Sequence, residues 1–245
     1  MSQNPPERLP LIRGGRPLKR WIYVGVYGPD VMLCATEGRI GLIPFSWWAV
    51  WDRTRLIEGR RGVSVSAQRV AVRGVFELEL GYGAPVDAIS PHEGRPIWTR
   101  KRIVTARGVC GGRAVDARAI IDESAGYHAR HTAWRWSAGV GTAVTGEEVA
   151  WNLVDGIHDA PSGSERAVWV DGVPHEVPPV AFAPDLSSVA GLRFSAEATR
   201  ARSENFVIVR SDYEQPFGTF AGELPGGGPE LREGWGVMER HEVSW

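Results

Sequence analysis

Short stretches of alternating apolar and polar residues, separated by Gly, Pro and Asp, run along the chain from Trp21 to its end. A period of two is typical of half-buried β-strands, and turn signals at intervals of roughly 8–12 residues are typical of sandwiches and barrels. The predicted strands are Trp21–Tyr27, Val31–Ala35, Ile40–Phe45, Gln68–Val72, Val75–Leu80, Pro96–Thr105, Arg113–Ile121, Thr132–Gly139, Glu147–Leu153, Ala167–Val170, Gly191–Ala196, Asn205–Ser211, Phe217–Leu224 and Trp235–Ser244.

One stretch departs from this pattern. Within Phe45–Leu56, the residues Trp48, Trp51 and Arg55 recur at helical spacing, so we predict a helix there. No long amphipathic helix and no alternation of strands with helices is evident elsewhere. The pattern therefore predicts an all-β fold of antiparallel barrels or sandwiches.

Two segments indicate how the chain is divided. Residues 1–20 are basic and rich in proline, which predicts a mobile tail or an arm laid on the body of the protein. The polar, turn-rich segment Ile89–Pro96 predicts a boundary between an N-terminal β-unit, residues 21–95, and a C-terminal β-unit, residues 96–245. The same segment also fits a long hairpin loop within one unit.

Composition narrows the classes of partner. With 28 basic and 29 acidic residues the net charge is −1, so the positive field of a general nucleic-acid binder is missing and we expect no nucleic-acid partner. No apolar stretch is long enough to span a membrane, and the first residues lack the apolar core of a signal peptide. Two cysteines, Cys34 and Cys110, are too few for a disulfide framework. These features favour a cytoplasmic protein.

Tryptophan and lysine are used unusually. The 11 tryptophans outnumber the methionines and phenylalanines combined, which favours a deep core or a ligand cavity lined by large amphipathic rings. Only Lys19 and Lys101 among the basic residues are lysines. We attribute the preference for arginine to a high-GC genome.

The last predicted strand places two titratable groups on an apolar face. Trp235, Val237, Val243 and Trp245 share that face with Glu239 and His241, because strand side chains alternate. A buried carboxyl group is costly unless paired, and its pKa rises toward a range useful for a general acid. The alternative is structural, with Glu239 paired to a buried arginine and His241 capping a network.

A second candidate cluster lies in the segment 122–137. Trp134 and Trp136 leave the same face of one strand, where they either fill the core or line a pocket for an apolar or cationic ligand. His128 and His131 converge only if the chain turns near Tyr127, which Gly126 makes feasible. Asp122 begins this segment.

A third cluster follows Trp151 and Asn152, in a loop rich in Gly, Pro and Ser that carries Asp155, His158 and Glu165. It lacks a recognised metal-ligand spacing, and an Asx turn explains Asp155 equally well, so we expect no metal. No nucleophile elbow is present, and neither cysteine lies in a catalytic motif.

Several short motifs occur in a recognisable order. They are Ile97-Trp-Thr-Arg-Lys101, Asp122-Glu-Ser-Ala-Gly-Tyr-His128, Thr132-Ala-Trp-Arg-Trp136, Trp151-Asn-Leu-Val-Asp-Gly156, Trp169-Val-Asp-Gly172, Phe217-Gly-Thr-Phe-Ala-Gly222 and Gly234-Trp-Gly-Val-Met-Glu-Arg-His241, with the terminal Trp245. From about Arg39 to Trp245 the chain resembles a bacterial domain-of-unknown-function family, family 2804. That family is distantly similar to the lipocalin-like group of tocopherol cyclase, hydroxyneurosporene synthase (a carotenoid hydratase) and AttH.

The resemblance implies a tandem pair of lipocalin-like antiparallel β-units, and in such relatives polyprenyl chains are cyclised or hydrated in an aromatic-lined pocket. The leading hypothesis is an enzyme that starts cyclisation, isomerisation or hydration of a hydrophobic, isoprenoid- or polyketide-like molecule by proton transfer, without a cofactor. Glu239 is the predicted acid, oriented by His241, with Asp122 and Asp155 in reserve. The predicted substrate-binding residues are Tyr127, His128, His131, Trp134, Trp136, Trp151, Asn152 and Trp235. The alternatives are a non-catalytic carrier or sensor of the same ligand and a structural β-protein.

Overall fold

Two large antiparallel sheets, with a small hairpin of two strands near the N-terminus, form the described part of the protein. The computed structural model describes residues 9–206 and 209–244, and in these ranges it contains twenty strands and no helix. The strands are β1 (Ile12–Arg13), β2 (Arg16–Pro17), β3 (Lys19–Tyr27), β4 (Met32–Ile40), β5 (Ile43–Trp51), β6 (Leu56–Gly59), β7 (Val63–Val65), β8 (Arg69–Val72), β9 (Phe76–Leu80), β10 (Pro85–His92), β11 (Arg95–Cys110), β12 (Arg113–Gly126), β13 (His131–Ala143), β14 (Glu148–Asp155), β15 (Ala167–Val170), β16 (Val173–Glu176), β17 (Ser188–Val189), β18 (Leu192–Phe206), β19 (Val209–Glu223) and β20 (Glu230–Ser244). The predicted all-β class is confirmed. Trp245 lies outside the described residues.

The helix predicted for Phe45–Leu56 is wrong. This stretch forms most of β5 and the start of β6, which pair as an antiparallel hairpin. Asp52 makes the turn, because its Oδ1 accepts hydrogen bonds from the backbone N–H groups of Thr54 at 3.0 Å and Arg55 at 2.7 Å. The Asx turn ends β5 at Trp51, within the stretch where the helical spacing of Trp48, Trp51 and Arg55 had predicted a continuous helix.

The two sheets share one topology. The first has the order β6-β5-β4-β3-β12-β11-β9-β8-β7, with β10 also paired to β11, and the second has the order β16-β15-β14-β13-β20-β19-β18-β17. In each, the first and last long strands of the unit, β3 with β12 and β13 with β20, pair at the centre, and meanders extend to either side. Neither sheet closes into a barrel among the described residues.

The change from one sheet to the other lies at residues 127–130, between β12 and β13. The segment Ile89–Pro96 instead forms a hairpin between β10 and β11, both within the first sheet. Within the predicted tail, residues 12–20 contain β1, β2 and the start of β3.

The core has three layers. Alternate residues of β3 show the division: Val24 and Val26 pack inside the curled first sheet, whereas Tyr23 and Tyr27 face the second sheet. A third apolar cluster, which includes Trp151, lies inside the curve of the second sheet. The middle layer, where the sheets meet face to face, therefore draws side chains from both sheets. The described residues include no helix that is both long and apolar enough to cross a membrane.

Candidate functional site

A cavity of about 340 Å³ lies between the facing surfaces of the two sheets. Its walls come from strands of both sheets, from the loops after β6 and β14, and from the segment that joins the sheets. Of the tryptophans in the described ranges, four line it, namely Trp21, Trp47, Trp134 and Trp136. The volume and the mixture of aromatic rings with a few polar groups are typical of a small-molecule site.

The first sheet contributes two rows of neighbouring side chains. One row runs through Trp47, Thr36, Tyr23, Asp122 and Lys101, and the next runs through Phe45, Gly38, Trp21, Ser124 and Thr99. Directly paired residues in antiparallel strands project from the same face, so the rows form one continuous wall. That wall is aromatic on β5 and polar on β12 and β11.

The second sheet supplies the opposite wall. Trp136 is paired with Glu239, and Trp134 is paired with His241, which is itself paired with Tyr213. All five side chains face the cavity. Glu239 and Trp136 are buried, and Trp134 and His241 are half-buried. The inward orientation that alternation predicts for Glu239 and His241 is therefore the orientation in the structure.

Three donors hold the Glu239 carboxyl group. Trp134 Nε1 donates to Oε1 at 2.8 Å, and Oε2 accepts from the hydroxyl of Tyr213 at 3.1 Å and from Nε2 of Gln215 at 3.0 Å. Burial is the main reason that the pKa of Glu239 is raised to about 7, although the bonds from Trp134 and Tyr213 oppose the rise. No arginine or lysine in the described ranges forms an ion pair with it. Glu239 can therefore gain or lose a proton near neutral pH.

His241 is a neighbour of this network and not a direct partner of Glu239. Its Nε2 lies 2.9 Å from the hydroxyl oxygen of Ser211, and its ring packs against Trp134 at 4.4 Å and Tyr213 at 5.1 Å between centroids. Burial lowers the pKa of His241 to about 4, so the imidazole is neutral at pH 7. The ring supports two of the side chains that donate to Glu239.

A buried ionic cluster occupies the polar end of the first wall. Lys101 Nζ lies 2.5 Å from Asp122 Oδ1 and 3.2 Å from Glu165 Oε2. Burial opposes the charge of Lys101, but the two carboxylates outweigh it and raise the pKa of the ammonium group. The pKa of Asp122 is raised by burial and by Glu165, against the pull of Lys101. One ammonium group therefore neutralises two carboxyl groups only in part.

Two histidines adjoin this cluster. Burial lowers the pKa of His158 to about 3, and Lys101 adds to the effect. His158 Nδ1 lies 3.0 Å from the hydroxyl oxygen of Ser90. His128, in the segment between the sheets, packs against Trp21 at 5.0 Å between centroids, and burial lowers its pKa well below the usual value. Both imidazoles are neutral at pH 7.

Three predicted binding residues on the second sheet lie outside the cavity. Trp151 is fully buried inside the curve of that sheet, where its ring meets Phe220 edge to face at 4.9 Å between centroids and its Nε1 donates to Ser137. Asn152, on the other face of β14, faces the middle core layer and accepts a hydrogen bond from Trp136 Nε1 at 2.8 Å without lining the cavity. Trp235 packs at the edge of the middle core layer. The expected lining by Trp151 and Trp235 is therefore corrected to packing roles.

Three further predicted residues are also away from the cavity. The Tyr127 hydroxyl donates to the carbonyl of Pro10, which ties the segment between the sheets to the N-terminal region. His131 is exposed beside Glu242, and Asp155 pairs with Arg135 at 3.4 Å on the opposite face of β13. Of the predicted site residues, the cavity brings together only the following: Glu239, His241, Asp122, His128, Trp134 and Trp136.

Sequence reasoning missed several cavity residues. Arg200, on β18, lies over the ring of Trp47 at 4.1 Å and pairs with Glu58 at 3.0 Å. Lys101 and Tyr213 were also absent from the predicted set. The sequence did contain a signal for Lys101, because the chain has only two lysines, Lys19 and Lys101. Both are buried in the structure. The described residues include no group of three or more His, Cys, Asp or Glu side chains placed to hold a metal ion.

Solved structures with a similar arrangement have low sequence identity. An AttH-like protein of Nitrosomonas europaea has a TM-score of 0.46 at 10% identity, covering 95% of this chain and 99% of that one. Kievitone hydratase from Nectria haematococca has a TM-score of 0.47 at 7% identity, covering 91% and 88%. CghA has a TM-score of 0.45 at 9% identity, covering 93% and 88%.

Sequence comparisons give a family but no characterised relative. No curated protein matches the chain significantly. A family model described as a domain of unknown function, DUF2804, matches residues 109–245, more than half of the chain. This range covers β13 to β20 and part of the first sheet, including the strand that carries Asp122. The chain therefore belongs to the DUF2804 family.

Proposed function

We propose that this protein is a cofactor-free enzyme that transfers a proton to a hydrophobic small molecule in the cavity and thereby starts its cyclisation, isomerisation or hydration. The observation that carries the proposal is Glu239: a buried carboxyl group, facing an aromatic cavity, whose pKa is raised to about 7 and which has no cationic partner among the described residues. A general acid works best when its pKa is close to the working pH.

The step balances without an oxidant or reductant. Protonated Glu239 gives its proton to an alkene carbon, the π electron pair forms the new C–H bond, and a carbocation and a carboxylate remain. Attack by a second alkene closes a ring and moves the positive charge to the other carbon of that alkene, which then loses a neighbouring proton. Without ring closure, loss of a neighbouring proton shifts the double bond, and addition of water followed by proton loss gives an alcohol. The released proton restores Glu239. With a carbonyl substrate the proton goes to oxygen instead.

Both charges of that intermediate have neighbours that stabilise them. The carboxylate keeps three hydrogen bonds, from Trp134, Tyr213 and Gln215. Trp134 and Trp136 line the same cavity, and an indole ring attracts positive charge. His241 acts as a positioning residue through its packing on Trp134 and Tyr213.

The other carboxyl candidates suit this role less well. Asp122 lines the cavity, but its Oδ1 is held at 2.5 Å by Lys101, which favours a binding or electrostatic role. Asp155 is removed from the cavity by strand alternation and pairs with Arg135. Glu239 is therefore the proposed proton donor, and the ligand is proposed to be isoprenoid- or polyketide-like.

The test begins with the ligand. Small molecules that copurify with the protein are identified by untargeted mass spectrometry, and a panel of polyprenyl and polyketide compounds is screened by intrinsic tryptophan fluorescence. Compounds that bind are incubated in D₂O with the wild-type protein, with Glu239→Gln, and with Glu242→Gln, an exposed glutamate on the same strand, as the matched control.

We expect deuterium-labelled product from the wild type and from Glu242→Gln, and binding without product from Glu239→Gln. Turnover by Glu239→Gln at the wild-type rate would remove Glu239 from the mechanism. Binding without turnover by the wild type would favour the non-catalytic carrier, and no fluorescence response to any compound would favour the structural role.

A further inference from the structure

Three buried hydroxyl groups on the first-sheet wall have no hydrogen-bond partner among the described residues. They are Thr36 Oγ1, Thr99 Oγ1 and Ser124 Oγ, and each residue is exposed by 4% or less and lines the cavity. Thr99 and Ser124 are directly paired across β11 and β12. Buried polar atoms in folded proteins nearly always have a partner, so this wall is suited to a group from outside the chain.

The buried hydroxyls away from the cavity behave differently. Thr132 donates to the carbonyl of Ala129 at 3.0 Å, Ser137 accepts from Trp151 Nε1 at 3.1 Å, and Ser164 bonds to Glu176 at 3.4 Å. The buried Ser and Thr side chains elsewhere in this fold therefore do have hydrogen-bond partners. Unbonded hydroxyls are concentrated at the cavity.

The charge of this wall argues against an anionic ligand group. Lys101 is held between Asp122 and Glu165, which together leave one excess negative charge if both carboxyl groups are ionised. His128 and His158, beside them, are neutral because burial lowers the pKa of each imidazole. A carboxylate or phosphate would have to enter next to Asp122, where the one adjacent cation, Lys101, is already held by two carboxyl groups.

The cations elsewhere around the cavity are already engaged. Arg200 bonds to Glu58 at 3.0 Å and to the Tyr213 hydroxyl at 3.3 Å. Arg202 also pairs with Glu58, at 2.6 Å. Arg60 pairs with Glu204. These arginines lie at the end of the cavity formed by β18, β19 and the loop after β6, away from the unbonded hydroxyls of β11 and β12.

We infer that Thr99 and Ser124, together with Asp122, form a subsite for an uncharged oxygenated group of the ligand, a hydroxyl or a carbonyl. Hydroxyl side chains both donate and accept, so they bind either group, and the Asp122 carboxylate accepts from a ligand hydroxyl. This inference rests on the proposed function of the same cavity. It narrows the ligand to neutral oxygenated molecules and excludes prenyl diphosphates and fatty acids.

Matched compounds test the inference. Two scaffolds, a C15 prenyl chain and a naphthalene ring, are each prepared with a hydroxyl, a carboxylate, a phosphate or no polar group, and binding is measured by tryptophan fluorescence. We expect the alcohol of at least one scaffold to bind at least tenfold more tightly than its carboxylate, phosphate and hydrocarbon counterparts. Tighter binding of an anion, equal binding of the hydrocarbon, or binding of no compound would overturn the inference.

Isosteric variants assign the preference to these side chains. Thr99→Val and Ser124→Ala remove unbonded hydroxyls, so each should weaken alcohol binding about five- to tenfold, leave hydrocarbon binding unchanged, and keep or raise the melting temperature. Ser137→Ala, which removes a bonded hydroxyl outside the cavity, should instead lower the melting temperature and leave affinity unchanged. Unchanged alcohol affinity in both cavity variants would overturn the assignment.

The two proposals fail separately. Glu239→Gln retains the subsite, so it should keep the preference for the alcohol and lose only product formation. If the alcohol preference is absent while Glu239→Gln still abolishes turnover, the subsite is wrong and the proton transfer stands. If the preference is present and Glu239→Gln retains full turnover, the proton transfer is wrong and the subsite stands.

Discussion

The indole Nε1 of Trp134 donates a hydrogen bond of 2.8 Å to Oε1 of Glu239, although the two residues are not directly paired across β13 and β20. Glu239 is paired with Trp136, so the bond runs diagonally to the next inward position of the neighbouring strand. Diagonal neighbours of this kind lie within reach of aromatic side chains. The bond fixes the indole Nε1 edge against the carboxyl group, and Trp134 also lines the cavity.

Trp134→Phe should raise the pKa of Glu239 further above 7. The bond from Trp134 stabilises the charged carboxylate and opposes the effect of burial, and phenylalanine keeps a ring but has no donor. Titration of the ¹³C-labelled glutamate carboxyl by NMR measures the change. Trp136→Phe is the control, since its indole donates to Asn152 and not to Glu239. An unchanged or lower pKa in Trp134→Phe would contradict the assigned bond.

Glu239 should make the protein less stable as pH rises from about 4.5 to about 7. Its pKa is about 7 when folded and near its usual value of 4.5 when unfolded, so the folded state binds the proton more tightly across this window. Glu239→Gln removes this dependence. Its free energy of unfolding relative to wild type should therefore increase with pH by up to about 3 kcal/mol and then level off. Denaturant titrations from pH 4 to 8 test this, and a difference independent of pH would show that the pKa is not raised.

Lys101→Met should destabilise the fold by about 3–5 kcal/mol at pH 7, because it leaves Asp122 and Glu165 buried without their cation. The loss should shrink as pH falls, since protonation of the carboxyl groups removes the uncompensated charge. Arg107→Met, which breaks an exposed pair with Asp116, should cost at most about 1 kcal/mol. Both variants are measured by urea unfolding. An equal decrease in the free energy of unfolding would show that the buried ionic cluster stabilises the fold no more than an exposed ion pair does.

Trp151→Phe should lower stability without affecting the cavity. The smaller ring loses part of the contact with Phe220 and the bond to Ser137, which together are worth about 1–3 kcal/mol. Ligand affinity should not change, because Trp151 lies inside the second sheet. Trp136→Phe, at the cavity wall, should weaken binding. The two variants are compared by melting temperature and by titration with a bound compound, and weaker binding by Trp151→Phe would place that ring in the site after all.

The alternation of apolar and polar residues predicted the long strands well. It predicted cavity residues only on strands where one face is clearly apolar. On β20 the apolar neighbours of Glu239 and His241 identified the inward face. On β11 the same reasoning failed, because both faces are buried: Trp98 and Val104 on one side, Thr99 and Lys101 on the other. A polar residue on an inward face of such a strand is indistinguishable from an outward one by periodicity alone.

Partners distant in sequence explain the remaining differences. The pairing of β3 with β12 brings Tyr23 beside Asp122, and nothing local to either segment encodes that contact. Trp151 was predicted as a lining residue, yet its place on β14 turns its ring to the face opposite the cavity. The helix was predicted from the spacing of Trp48, Trp51 and Arg55 alone, without regard to the Asx turn that Asp52 forms in the structure.

The segment 127–130 joins the two sheets, and its His128 is also part of the cavity wall. Neither half of the chain forms the cavity by itself, because the cavity exists only where the two sheets pack against each other. A ligand in it would hold the halves together, and its binding free energy would add to the free energy that opposes their separation. A bound ligand should therefore slow the exchange of backbone amide hydrogens in both sheets at once, including in strands that do not contact the ligand.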